Sequence, residues 1–399
     1  MELSDPPWRA REGYARLIET LGPDHARVVG GAVRDALLDR SADDLDLATA
    51  HPPEEVVRRL NAAGIRAVPT GLAHGTITAV LPSGPVEVTT LRRDVSTDGR
   101  HAEVAFTDDW REDAARRDFT MNALYADPVD ARLFDWFGGV DDLTARRVRF
   151  IGDPLRRIAE DHLRILRFFR FNARFGESID AASLDACTAR ANDLMALSRE
   201  RIRDELLKLL VAPRVVSVLQ IMDQQGIWRP VLPEIDEAGV NRLAALAGAE
   251  VAAGVAPDPV RRLAALIPPA SAEEVGARLK LSNVDRKRLV GATLGPGEEG
   301  PRALAYRAGV EGAVDRLILA GADPAVIAGW QPPRLPISGG ALVERGLRKG
   351  PAVAAALKAV ENQWVAEGFP PQSRVEAIAD MIAAGAIVAQ AADASSGRA

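Results

Sequence analysis

From Ala26 to about Phe150, short β-branched runs (RVVG, TITAVL, VEVTTL, RVRFI) alternate with stretches whose apolar positions recur at helical spacing, such as Pro53–Ala63. Strand side chains alternate faces and helical ones return every third or fourth position, so this texture predicts a region that mixes strands and helices. Residues 1–26 read as an amphipathic helix followed by a loop. After Gly152-Asp153-Pro154 the pattern changes: Ala, Leu and Arg dominate and the apolar period becomes helical. Pro and Gly punctuation near Pro213, Pro230, Pro257, Pro301 and Pro332 marks turns between stacked helices. No internal repeat stands out, and the last residues, AADASSGRA, are expected to fray. The fold class is α+β.

Composition narrows the class without choosing a function. With 399 residues the chain is too long for one core, and 27% charged with 47% hydrophobic residues describes an ordinary folded protein. The single cysteine, Cys187, cannot form an internal disulfide and suits a reducing compartment. The opening MELSDPPWRAREGY lacks the apolar core of a secretory signal, and no window reaches membrane-spanning length, so a cytoplasmic location with no membrane partner is expected. A net charge of −6 argues against indiscriminate nucleic-acid binding but leaves room for a local basic groove.

The chemistry concentrates in VVGGAVRDALLDRSADDLDLATA, Val28 to Ala50. The first half reads as strand, glycine turn and helix. Glycines let a backbone approach an anion closely, the helix start presents free N–H groups, and Arg34 lies one turn in, ready to clamp phosphate. In the second half, DLDLA reads as a strand in which Asp44 and Asp46 share a face while Leu45 points into the core. Like charges so close are costly unless a cation sits between them, and hard oxygen donors suit Mg²⁺. An acid-x-acid pair alone is common; with the glycine turn and arginine at this spacing, phosphoryl or nucleotidyl transfer is the expected chemistry.

Gly30-Gly31-Ala32-Val33-Arg34-Asp35 followed by Asp44-Leu45-Asp46 resembles the signature of the class II nucleotidyltransferases of the DNA-polymerase-beta superfamily, the group of the CCA-adding tRNA nucleotidyltransferases and bacterial poly(A) polymerases. The resemblance implies a catalytic nucleotidyltransferase head over residues 1–150, with a small mixed or antiparallel sheet and flanking helices. A helical neck (151–211) for nucleobase recognition, then a helical body and tail (212–390) for tRNA binding, would follow. It further implies that Gly30, Gly31 and Arg34 meet the incoming triphosphate and that Asp44 and Asp46 bind Mg²⁺. A third carboxylate would come from a neighbouring strand; Glu87 in VEVTTLR is the candidate, beside the plain reading of an exposed strand acid. ARRDFTMNAL matches the RRDFTxNA motif, with Arg117 on the nucleotide and Asp118 and Asn122 ordering the backbone. His74, in PTGLAHGTITAV, reads equally well as a structural histidine. The polar stretch DVSTDGRHAEV (Asp94 to Val104) corresponds to a mobile loop that helps the switch from C to A addition.

The second informative stretch is RRIAEDHLRILRFFRFNARF, Arg156 to Phe175, read as a helix. At 100° per residue Arg164, Arg167, Arg170 and Arg174 share a stripe with Asp161 at its flank, and Phe168, Phe171 and Phe175 lie close to the same stripe. A face of arginine and phenylalanine together predicts a half-buried cationic wall rather than a solvated one. The same residues match the nucleobase-reading motif EDxxRxxRxxRF. Cytosine and adenine each offer an amine beside an unprotonated ring nitrogen, so a carboxylate at Asp161 and a guanidinium at Arg164 pair with both, whereas uracil and guanine invert the roles. Arg167 and Arg170 complete the nucleotide set. SRERIRDELLKLL (Ser198 to Leu210) matches a structural neck helix.

Other motifs carry no weight. Gly295 to Gly300 spells GxGxxG but follows a helix and holds a proline in its turn. No zinc-spaced Cys/His set occurs, and no histidine follows His162, which excludes a His-Asp phosphohydrolase from residues 163–399. The expected activity is template-independent CCA addition to tRNA from CTP and ATP, with no protein partner. A poly(A) polymerase or an enzyme adding only C or only A shares the motifs, though poly(A) polymerases usually add a basic patch near the nucleotide site that this sequence does not show. A non-catalytic RNA-binding relative would have lost the acids.

Overall fold

The first amphipathic stretch forms α1 (Tyr14–Leu21), which buries Tyr14, Leu17, Ile18 and Leu21. The computed structural model describes residues 2–40, 44–97 and 102–396. They fall into two compact units, Met1–Val240 and Asn241–Ala399.

In the first unit β1 (Ala26–Val29) runs through the glycine turn into α2 (Gly31–Leu37), and β2 (Asp46–Thr49) returns antiparallel to β1. Helix α3 (Pro53–Ala62) begins on a proline, whose missing N–H costs nothing at a helix start, with Glu54 and Glu55 in its first turn. β3 (Arg66–Gly71), β4 (Thr76–Leu81) and β5 (Gly84–Thr90) form a meander. β6 (Arg92–Thr97) and β7 (Ala102–Phe106) make a separate hairpin, and α4 (Trp110–Ala115) follows, capped by Asp109. β8 (Tyr125–Ala126) and β9 (Leu133–Phe134) complete a seven-stranded sheet of order β3-β4-β5-β2-β1-β8-β9. Within it β2 and β5 are parallel and the other neighbours antiparallel, so the sheet is mixed, as the motifs implied. Fully buried Val28, Leu47, Ile77, Val86 and Val88 fix the register, since a one-residue slip would turn these side chains to the opposite face, and Leu60 of α3 packs into the same core.

Next come α5 (Gly139–Thr144), α6 (Pro154–Glu160), α7 (Arg164–Phe175), α8 (Ala181–Ala189), α9 (Arg199–Leu210) and α10 (Val215–Gln224). The helix expected over Arg156–Phe175 is broken at Asp161–Leu163. Asp161 has extended backbone (φ −154°, ψ 107°), its carboxylate accepts from Leu163 N at 3.1 Å, and its carbonyl accepts from Arg164 N at 3.0 Å. This Asx-type turn ends one helix and starts the next.

The second unit takes in most of α11 (Glu237–Ala253), then α12 (Pro259–Leu266), α13 (Ala272–Arg278), α14 (Asn283–Ala292), α15 (Pro301–Leu319), α16 (Gly339–Glu344), α17 (Pro351–Ala366) and α18 (Gln372–Ser396). Trp364, Val360, Val375 and Ile378 anchor one core there. Gly295–Gly300 is a loop between α14 and α15, as read. Among the described residues no helix is long and apolar enough to cross a membrane.

Candidate active site

At the end of β1, Gly30 adopts φ 66° and ψ −119°, a conformation that costs an L side chain dearly, and a Cβ there would also come within 3.2 Å of the Arg117 guanidinium. The turn leaves the amides of Gly31, Ala32 and Val33 in the first turn of α2, where a helix has no acceptor of its own for them. Arg34 is buried just beyond. Its Nε donates to Asp35 Oδ1 at 2.9 Å, its Nη1 donates to Asn122 Oδ1 at 2.7 Å, and its guanidinium lies 4.3 Å from the centre of the Phe175 ring. Burial lowers its pKa and the Asp35 carboxylate opposes that.

The acids lie one strand away. Asp44 is exposed just ahead of β2, Leu45 is buried, and half-buried Asp46 opens the strand, so the alternation predicted for DLDLA holds although the ladder starts at Asp46. Glu87 on β5 is the Cα partner of Asp46 across the parallel pair. Burial first, then the charge of Glu87, raise the Asp46 carboxyl to about 6; Arg117 pulls the other way, and Asp44 adds a smaller push. Arg117 is itself held by Tyr125, whose hydroxyl lies 3.0 Å from its Nε, and by Asp113 at 3.4 Å. Among the described residues no three His, Cys, Asp or Glu side chains form a ready-made metal cluster. The donor set nonetheless fits a hard divalent ion: Mg²⁺ sites in nucleotide enzymes use one or two carboxylates and draw the remaining oxygens from substrate phosphates.

A chain of hydrogen bonds links the glycine turn to α7. Arg34 donates to Asn122, Asn122 Nδ2 donates to Asp118 Oδ1 at 3.0 Å, and Arg167 Nε donates to Asp118 Oδ2 at 2.7 Å. Burial pushes the Asp118 carboxyl up, but the Arg167 charge and the bonds from Asn122 and Arg167 outweigh it and hold it below the usual range. Asp118 and Asn122 thus do more than order their own backbone. They hold the predicted phosphate arginine and the predicted base-reading helix in one frame.

Along α7 the arginines are matched one by one. Arg164 donates to Glu160 at 2.5 Å and to the carbonyls of Arg157 and Arg116, each at 2.9 Å. Arg170 donates to Glu205 on α9 at 2.5 Å, and Asp161 accepts from Arg201 at 2.7 Å. Phe168, Phe171 and Phe175 are buried, with Arg167 and Arg170 over Phe171 and Arg174 over Phe175. The half-buried cationic wall is there. Arg201 and Glu205 as site partners, and the contacts of Asn122 and Phe175 with Arg34, were not legible: they span 35 to 141 residues, and no local pattern signals such pairings. The tip of the loop read as a C-to-A switch, residues 98–101, lies outside the described residues. His74 is exposed and its carbonyl accepts from Arg92.

Residues 26–149 match the sequence model of the Poly A polymerase head domain, and residues 178–238 match that of the "Probable RNA and SrmB- binding site of polymerase A". The chain is 34% identical over 409 residues to mouse mitochondrial CCA tRNA nucleotidyltransferase 1, covering 92% of this chain and 90% of that protein. It is 34% identical over 402 residues to the human protein of the same name, with the same two shares. The crystal structure of the Bacillus stearothermophilus CCA-adding enzyme in complex with CTP superposes with a TM-score of 0.75 at 28% identity, covering 91% of this chain and 93% of that one. With its glycine turn, strand acids and arginine helix carried on that fold, the chain belongs to the CCA tRNA nucleotidyltransferase family.

Proposed function

We propose that the protein adds CCA to tRNA 3′ ends from CTP and ATP, with no template and with release of pyrophosphate. The observation that carries this is the register of Asp46 opposite Glu87, beside Asp44 and within reach of the charge of Arg117. Nucleotidyltransferases of this family use divalent metal ions. Asp44 and Asp46 are the residues we assign to hold Mg²⁺, with Glu87 as the third carboxylate. Bound there, the ion supplies Lewis-acid stabilisation at the α-phosphate and favours the alkoxide form of the attacking hydroxyl.

The rest is the work of the chain's own groups. The Gly30-Gly31 turn admits the triphosphate against backbone amides. Arg34 and Arg117 offset the charge that builds on the departing pyrophosphate. The bond formed joins the RNA 3′-oxygen to the α-phosphorus, and the bond broken is that to the β-phosphate bridging oxygen. Asp161 accepts from the exocyclic amine of C or A while Arg164 donates to the ring nitrogen, and Arg167 and Arg170 flank the nucleotide. Arg201, Glu160 and Asp118 hold these groups in place, which supports selection by a pre-shaped pocket rather than a template strand. We assign residues 1–150 as head, 151–211 as neck and 212–390 as tRNA-binding body and tail, and a reducing cytoplasm suits the one buried thiol, Cys187.

The test is extension of a tRNA ending at its discriminator base, with CTP and ATP supplied singly and together and products resolved by length. CTP alone should add two nucleotides and both together three. A long A tail, or no addition, contradicts the proposal.

A further inference from the structure

Next to the assigned nucleotide contacts, and sharing Arg170 with them, a cavity of about 600 Å³ opens at the C-terminal end of α7, lined also by Arg40, Arg174, Lys208, Val211, Ala212 and Pro213. Four of the seven lining residues are cations and none is an acid. Arg170 is answered by Glu205. Arg40, Arg174 and Lys208 are exposed, and among the described residues none of them has an ion-pair partner. That sets them apart from Arg164, Arg167 and Arg170, each of which has a carboxylate.

The pocket adjoins the phosphate clamp. The Phe175 ring links the two: Arg34 lies 4.3 Å from its centre, and Arg174 and Arg40, which line the cavity, lie 5.2 Å and 5.5 Å from it. Arg174 also sits close enough to oppose the charge on Arg34. Along α7, Arg174 lies about 15 Å from the base-reading Arg164, so it stands clear of the nucleobase end. Arg40, Arg174 and Lys208, like charges at one cavity with no ion-pair partner among the described residues, are stabilised by an anion. The sequence shows no basic run because these cations come from the segment after α2, from α7 and from α9.

We propose that Arg40, Arg174 and Lys208 form a phosphate-binding subsite next to the nucleotide clamp. The phosphate belongs either to the distal end of the nucleoside triphosphate or to the backbone of the RNA being extended. Lys208 falls within the stretch that matches the RNA-binding family description. The proposal rests on the nucleotidyl-transfer reading, and its test can fail separately from it.

The experiment uses the full chain with Arg174→Gln and Lys208→Gln, singly and together, with circular dichroism and the thermal midpoint as controls of folding. Calorimetry with inorganic tripolyphosphate at low salt should show affinity lowered about tenfold in the double variant and restored by the pair Arg174→Lys with Lys208→Arg. Unchanged tripolyphosphate affinity overturns the subsite, whatever the protein adds to RNA. Steady-state extension then identifies the source. A raised KM for CTP with KM for tRNA unchanged points to the nucleotide; a raised KM for tRNA with a shallower salt dependence points to the RNA backbone. Loss of tripolyphosphate binding with both KM values unchanged marks an adventitious anion only and also overturns it. A wild-type chain that binds tripolyphosphate through these residues yet extends no tRNA leaves the subsite standing and fails the activity reading instead.

Discussion

Two groups of carboxylates behave in opposite ways. In the second unit Glu250 and Asp315 are almost fully buried, and each is answered by arginine: Glu250 by Arg261 and Arg262, Asp315 by Arg261 and Arg288. Near the head's glycine turn, Asp46 faces Glu87 and Asp44, and its carboxyl is driven up to about 6. The first network is closed, since each of its buried acids is paired with two arginines. The second is open, and the fold retains a destabilised carboxylate at the place where the proposed chemistry needs a cation. An acid set among other acids, rather than the number of charges, distinguishes the working site from the structural one here.

Removing an acid from each group separates them most sharply. Asp46→Asn should cut nucleotide addition by roughly a thousandfold, about 4 kcal/mol of transition-state stabilisation, with the fold intact. Single-turnover extension with saturating CTP measures it. Asp315→Ala should instead cost about 3 kcal/mol of stability by removing the buried acid that Arg261 and Arg288 share, which leaves Arg261 with Glu250 alone, read as a lower denaturant midpoint, with CTP affinity unchanged. If Asp315→Ala lost CTP binding while keeping its midpoint, the closed network would be functional after all.

Smaller effects sharpen the contrast. Arg164→Ala should relax discrimination of CTP against UTP by about tenfold or more while leaving tRNA affinity alone; unchanged discrimination would remove it from base reading. The least expected effect concerns stability. Because the folded pKa of Asp46 lies above its unfolded value near 4, the folded state holds the extra proton, so stability falls as pH rises from about 4 to about 6 and stays lower above that. In metal-free protein at pH 7.5, Asp46→Asn should therefore gain about 1 kcal/mol once partial exposure is allowed for, and the gain should vanish near pH 4. A loss at pH 7.5 would mean that Asp46 is paired in a way its surroundings do not suggest.

Much of the site was legible because its spacing is local. The alternation Asp44-Leu45-Asp46, the glycine turn and the Arg/Phe stripe of α7 each depend on a repeat only two to four residues long, and those repeats survive folding. Glu87 rests on the family resemblance, which implies a third carboxylate from a neighbouring strand, and β5 does pair it with Asp46. The break at Asp161 was missed because an Asx turn competes with helix on near-equal terms, and helical periodicity carries across it. Asp118 with Arg167 and Glu205 with Arg170 were beyond reach for a different reason: tertiary packing chooses those partners from many acids in the chain.

On this account the open acid group of Asp44, Asp46 and Glu87 holds a divalent ion for the reaction. Electron paramagnetic resonance of Mn²⁺ added to the full chain with CTP tests it most directly, comparing wild type with Asp46→Asn at pH 7.5 and wild type at pH 5. Bound Mn²⁺ in the wild type at pH 7.5, weakened at pH 5 and lost in Asp46→Asn, is the predicted result. Equal Mn²⁺ binding in wild type and Asp46→Asn would contradict it.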